Sequence, residues 1–275
     1  MIITIKDDFS LDKIIDCGQC FRARRMEDGT FRFICRGHLL YIKRKSETKY
    51  DASCERDEWD SVWRSYFDMG RDYSSIGRDI ADDLPHGDFM RAAVRLGRGI
   101  RVLRQDAWEM LITFIISQRK NIPAITQCVE TLSSRYGRKI ISPPKYNEEI
   151  FSFPLVEDMA KVPEKELRDC SLGYRAPYIA DASEKVASGK LDLAAIEKLD
   201  DDELFDALMS VKGVGKKVAN CVMLFGYGRT SRVPVDVWIA RALEICEGED
   251  PFAPFGEDAG IMQQYVFYYM KHRSK

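Results

Sequence analysis

The segment from Asp201 to Ala240 constrains this chain more than any other, because two glycines two residues apart, Gly213 and Gly215, interrupt an otherwise helical pattern. Before them, Asp201 to Ser210 begins with acids, which favour a helix N-terminus, and its Leu204, Ala207 and Leu208, continued by Val211, fall on one face. After them comes a second apolar-faced run from Lys216. The pattern reads as helix, tight turn, helix. Glycines in the turn permit positive φ and close backbone approach, and such a turn opens the first amide N–H groups of the following helix toward an anion. An ordinary corner between two helices reads the same way, so charge has to decide. Residues 211 to 235 contain Lys212, Lys216, Lys217, Arg229 and Arg232 and no acid, in a chain whose net charge is −2. A local basic window of this kind suggests a surface that meets phosphates.

Two residues in and after this window have reactive potential. Lys217 and Cys221 are four apart and share a helix face with apolar neighbours such as Val218 and Val222. A lysine against an apolar wall loses hydration, which favours the neutral, nucleophilic amine; a solvated or phosphate-binding lysine is the commoner alternative. Asp236 follows in Val-Pro-Val-Asp, where Pro234 restrains the backbone that aims the carboxylate. If a helix starts at Val237, Asp236 is also a good N-cap, and the two roles are compatible.

The rest of the chain reads as a strand-rich start followed by helices. Cys20 to Arg25, Thr30 to Arg36 and Leu39 to Lys45 are β-prone, with Asp28-Gly29 as a hairpin turn signal. Asp57 to Phe67, Asp88 to Leu96, Ala107 to Ser117, Ile122 to Tyr136, Pro177 to Ser188, Val237 to Glu244 and Gly260 to Lys271 look helical. A hydrophobic fraction of 45% with 31% charged residues indicates a soluble globular protein, and no run reaches membrane-spanning length. Of the eight cysteines only Cys17 and Cys20 form a C-x-x-C, and no second pair completes a zinc or iron–sulfur set. They read as reduced thiols of a cytoplasmic protein.

The hairpin, Lys217 and Asp236 together resemble the helix-hairpin-helix, Gly-Pro-Asp signature of the base-excision DNA glycosylases. Five further motifs narrow the branch: Asp16-Cys-Gly-Gln-Cys-Phe-Arg22, Leu103-Arg-Gln-Asp106, Phe114-Ile-Ile-Ser117, Ser152-Phe-Pro154 and Leu172-Gly-Tyr-Arg-Ala176. Their order is similar to that of the 8-oxoguanine DNA glycosylase family, over nearly the whole chain. The resemblance implies an α+β fold, mainly α: an N-terminal antiparallel β-sheet domain, residues 1–103, then a helical catalytic region, residues 104–275. It implies that Lys217 is the nucleophile and Asp236 the catalytic aspartate. The carbonyl of Gly18 would accept from N7–H of 8-oxoguanine, Cys221 and Phe267 would sandwich the flipped base, and Gln263 would read its Watson–Crick edge. Gly213, Gly215 and Lys216 would hold backbone phosphate, while Tyr174 and Arg175 would wedge into the duplex. The implied activity is base excision with strand nicking through a lysine Schiff base. The implied partner is duplex DNA carrying 8-oxoguanine, the enzyme is expected to be monomeric, and no metal or redox cofactor is implied.

Some positions depart from the eukaryotic pattern, as in a bacterial-type branch. Arg119 stands where an asparagine would plug the gap left by the flipped base. Ala124 replaces an arginine that helps read the opposite cytosine, so weaker opposite-base discrimination is expected. Trp238 replaces a histidine near the lesion's 5′ phosphate. Two other functions fit the hairpin: an alkylbase glycosylase that works without a lysine nucleophile, and a DNA-binding module without activity. Lys217 and Gln263 speak against the first, and Lys217 together with Asp236 against the second.

Overall fold

The computed structural model describes residues 1–273. Five strands form one antiparallel sheet in the order β1-β5-β4-β3-β2: β1 Ile2–Thr4, β2 Arg24–Arg25, β3 Phe31–Cys35, β4 His38–Arg44 and β5 Lys49–Ala52. The β2–β3 turn is held by the side chain of Asp28, whose Oδ1 accepts from Thr30 N at 2.9 Å, with Gly29 at positive φ. Phe33, Leu40 and Ile42 face a helical layer that runs from Arg56–Glu58 through a π-helical turn, Trp59–Trp63, to Arg64–Tyr66. Edge-to-face ring contacts such as Phe33–Phe67 at 5.1 Å and Phe9–Phe67 at 5.3 Å knit this smaller core.

Everything beyond is helical apart from a short hairpin pairing Lys139–Ile140 with Ile150–Phe151. The Ala107–Ser117 helix lies at the centre of the larger core, with Leu111, Ile112, Ile115 and Ile116 each fully buried. The side chains of Asp106 and Asn121 cap this helix and the next, Ile122–Tyr136, by accepting from Glu109 N and Ala124 N. The molecule is thus α+β and mainly helical, with its sheet at the N-terminus.

Three expectations for the elements need correction. Cys20 to Arg25 is not a strand: only Arg24 and Arg25 pair, because Cys17 and Phe21 turn inward to join the helical core. β1 and β5 were not expected; each is too short to show a decisive alternation, and they complete the sheet by pairing with each other, Ile3 opposite Tyr50. Leu11–Asp16, also unexpected, is a short helix that leads into the Cys17-Gly18 turn.

Candidate active site

Lys217 is the second residue of the Lys216–Phe225 helix, and Asp236 is the N-cap of the Val237–Ile245 helix. The two helix starts meet at one cleft of about 670 Å³, whose wall also includes Phe21, Phe114 and Ser117. The Lys217 amine lies 3.3 Å from Ser117 Oγ and 5.1 Å from the centre of the Phe114 ring. Asp236 uses a single oxygen as the cap: Oδ1 accepts from Trp238 N and Ile239 N, each at 3.0 Å. Among the described residues no protein donor reaches Oδ2. Burial pushes the Asp236 carboxyl above its ordinary value, opposed by the Ile239 amide and the charge of Lys217. The site therefore offers an amine, a half-engaged carboxylate and an aromatic wall around one opening.

A smaller recess opens behind the cleft, between the Lys216–Phe225 helix and the Ala259–Arg273 helix. It gathers the expected base-binding residues: Gly18, Cys221, Gln263 and Phe267 all line it, with Lys217 and Asp236 at its edge. Gly18 has φ of +75°, and a Cβ there would fall 2.9 Å from Phe267 Cζ, so glycine is what allows this ring to lie against the turn. The Gly18 turn is held by its neighbour. Gln19, fully buried, donates to the Arg101 carbonyl, accepts from Leu103 N, and its own carbonyl accepts from Gln105 Nε2. Two of the sequence motifs thereby interlock. From the other side Lys271 donates to Asp16 O and Oδ1, and His272 pairs with Asp16 Oδ2 at 2.8 Å. Burial pushes the Cys221 thiol up to about 11 despite the nearby lysine, so it lines the recess as a neutral thiol. The recess measures about 40 Å³, room for roughly one water.

Outside the cleft, the hairpin behaves as expected at one glycine of the two. Gly213 has φ of +81° and packs its Cα face on the Tyr178 ring, where any Cβ would clash. Gly215 has φ of −105° and acts instead as a bare N-cap, with no side chain over the first amides of the Lys216–Phe225 helix. Its Cβ position is open space. Lys212 and Lys216 are exposed beside it. The wider basic window is smaller than the sequence suggests. Arg229 and Arg232 turn back to Asp201, at 3.4 and 3.0 Å, and so neutralise the acids that start the preceding helix.

Arg119 is exposed at the rim of the cleft, in the left-handed region at φ of 52°. Trp238 stands at the same rim with the Arg241 guanidinium 5.0 Å over its ring. The expected wedge pair stay in contact, with the Arg175 guanidinium 4.3 Å over the Tyr174 ring, but differ in exposure. Tyr174 is 47% exposed, whereas Arg175 is buried at 6% and donates to the Gln118 and Leu172 carbonyls. In this conformation Arg175 supports the loop that carries Arg119 and does not project as a wedge. The residues not foreseen are the ones that hold others in place: Gln19, Gln105, Ser117, Gln118 and Gln264. Gln19, Gln105 and Ser117 sit inside recognisable motifs, yet no spacing rule marks a buried amide or hydroxyl as a support.

Residues 1–111 match the family described as 8-oxoguanine DNA glycosylase, N-terminal domain, and residues 112–254 match the HhH-GPD superfamily base excision DNA repair protein family. The chain is 37% identical over 157 residues to the N-glycosylase/DNA lyase of Saccharomyces cerevisiae, a match covering 52% of this chain and 41% of that protein. It thus spans less than half the length of that curated relative. Its fold superposes on the structure of MBOgg1 in complex with a low-affinity DNA ligand with a TM-score of 0.92 and 33% identity, over all of this chain and 96% of the other. The 8-oxoguanine glycosylase/lyase of Clostridium acetobutylicum, in complex with double-stranded DNA containing cytosine opposite 8-oxoG, gives 0.89 and 32%, over all of this chain and 99% of that one. The chain belongs to the HhH-GPD superfamily of base excision DNA repair proteins and, within it, to the 8-oxoguanine DNA glycosylase family.

Proposed function

We propose that this chain is a bifunctional DNA glycosylase and abasic-site lyase that excises 8-oxoguanine from duplex DNA in base excision repair. The observation that carries the reading is the convergence of Lys217 and Asp236 on one cleft, with Gly18, Cys221, Gln263 and Phe267 lining the recess behind it. Gly213, Gly215 and Lys216 would hold a backbone phosphate on the open amides of the hairpin helix. The damaged nucleotide would be extruded toward Lys217, at an unstacking cost of a few kcal/mol.

Lys217, once its amine has given a proton to solvent, attacks C1′ as the bond from C1′ to the base breaks. The base leaves with the electron pair and takes up a proton, and the sugar passes through a cationic state that the free Oδ2 of Asp236 stabilises. Loss of a proton from nitrogen with opening of the sugar ring gives the imine. Removal of a C2′ proton then expels the 3′ phosphate and nicks the strand. The side chains of Arg119 and Tyr174 meet the space left in the duplex, with Arg175 behind them, and Trp238 lies toward the 5′ phosphate. Because Ala124 offers no guanidinium, opposite-base selectivity is relaxed. The enzyme acts as a monomer, in the bacterial cytoplasm at the nucleoid, where its free cysteines stay reduced.

Borohydride trapping on a duplex with one 8-oxoguanine, placed in turn opposite each of the four bases, tests this directly. A covalent adduct with comparable yield for all four is expected, and Lys217→Gln should abolish both adduct and base release while retaining DNA binding. Release of 8-oxoguanine at the parent rate by that variant would show that the nucleophile is misassigned.

A further inference from the structure

One residue that lines the recess carries a buried polar atom with no hydrogen-bond partner among the described residues. Gln264 is 3% exposed and lines the recess beside Gln263, which is 2% exposed, yet its Oε1 accepts from no donor. The neighbouring contacts fix which end of each amide is which. Pro234 O can only accept, so the group 3.2 Å from it must be the nitrogen of Gln263. Gln263 Oε1 therefore faces Gln264 at 2.9 Å, and Gln264 must present its nitrogen there. The atom left over is the Gln264 oxygen. Both amides are thus oriented by one carbonyl, in the same Val-Pro-Val-Asp segment that aims Asp236.

After these bonds are made, Gln263 retains one N–H and one oxygen lone pair, and Gln264 retains one N–H and an oxygen with both lone pairs. Together they can present a donor, an acceptor and a second acceptor. The Watson–Crick edge of a guanine-type base is an acceptor at O6, a donor at N1–H and a donor at the exocyclic 2-amino group, the complement of that set. The bond to Gln263 Oε1 accounts for the nitrogen of this side chain but leaves its oxygen without a structural role. An apolar side chain of the same length would fill the space without an unmet acceptor, which is unfavourable in an interior.

We propose that Gln264 is a specificity-determining residue, its Oε1 accepting a hydrogen bond from the exocyclic 2-amino group of the flipped 8-oxoguanine. This rests on the lesion reading of the site given above. Gln263 takes O6 and N1–H, Gln264 takes the amine, and the pair distinguishes 8-oxoguanine from 8-oxopurines that lack that amine.

The test compares single-turnover release of 8-oxoguanine and 8-oxohypoxanthine, which differ only in the 2-amino group, by the parent enzyme and by Gln264→Met. Nicking of a preformed abasic site, which needs no base contact, reports on folding and on Lys217. The parent enzyme is expected to release 8-oxoguanine about 10-fold or more faster than 8-oxohypoxanthine. Gln264→Met should bring the ratio of 8-oxoguanine to 8-oxohypoxanthine release down to about one, with abasic nicking within about twofold of the parent; losing the bond to Gln263 Oε1 slows both bases by a shared factor that leaves the ratio as the readout. A parent enzyme indifferent to the amine, or a variant that keeps the parent's ratio, overturns the assignment. A parent enzyme that nicks abasic sites and releases neither base overturns the lesion reading, and this assignment with it.

Discussion

At the residue scale, Oδ1 of Asp236 caps a helix, which leaves Oδ2 for the proposed catalytic role. Asparagine caps as well as aspartate, so Asp236→Asn should keep the fold while slowing base release by about 10²–10³-fold. Its effect on stability also has a definite sign. Burial raises the folded carboxyl above the unfolded value of 3.8, so the folded state prefers the protonated form. Stability from this group is greatest at low pH and falls as pH rises from 3.8 through the folded value. The melting temperature of Asp236→Asn should therefore equal the parent's below that window and exceed it at pH 7; a deficit at pH 7 would argue against a destabilising carboxylate. Gly18→Ala tests the recess. Alanine at φ of +75° costs about 1–2 kcal/mol, and its methyl meets the Phe267 ring. Thermal unfolding should fall by that amount, and 8-oxoguanine release more than abasic nicking. Gly18, Cys221, Gln263 and Phe267 are named through the family resemblance, which matches motifs position by position. That resemblance leaves Gln264 unnamed because its role lies in which atom remains unpaired, a property of packing.

At the scale of elements, legibility followed the caps. The bounds of Ala107–Ser117 and Ile122–Tyr136 agree with the sequence reading residue for residue, since Asp106 and Asn121 mark each start. The sheet was less legible: a three-residue strand such as β1 has too few positions to display a period. The loops that face outward owe their shape to tertiary bonds. Gln118 Nε2 donates to Gly213 O at 3.1 Å, Arg175 Nε donates to Gln118 O at 3.0 Å, and Lys120 Nζ reaches Ser171 O at 3.1 Å. Hairpin, Arg119 loop and Tyr174 turn are one tied unit, with Arg119 and Ser171 both held at positive φ. Arg175→Ala removes charged donors from two carbonyls and should cost about 2–3 kcal/mol. Urea unfolding would measure that loss, and amide exchange should quicken at residues 118–121. Unchanged protection there would mean that the loop holds its shape without the arginine.

At the scale of the whole molecule, the division at residue 103 remains a proposal, and both the packing and the recess, which Gly18 helps to line, run across it. Cys17, Phe21, Met90, Ala93 and Val94 join the helical core, and Gly97 lies so close to Tyr265 that a Cβ would sit 2.7 Å from its ring. The Gly87–Gly97 helix therefore packs against the helix that carries Gln263, Gln264 and Phe267. Residues 104–275 expressed alone should show helical circular dichroism without a cooperative melt and should not excise the base; a cooperative unfolding transition near that of the full chain would establish an independent domain. No helix among the described residues is long and apolar enough to cross a membrane.

The closed recess, finally, has a thermodynamic corollary. With Phe267 resting on Gly18 and room for about one water, the recess must widen before it can hold a purine, so only the fraction of molecules in which it has widened can bind one. That fraction scales the apparent affinity of every extruded base, damaged or intact, by the same factor. A factor common to both cannot favour either. Closure makes all visits rare, and any preference between the two must arise from contacts formed after the recess has opened.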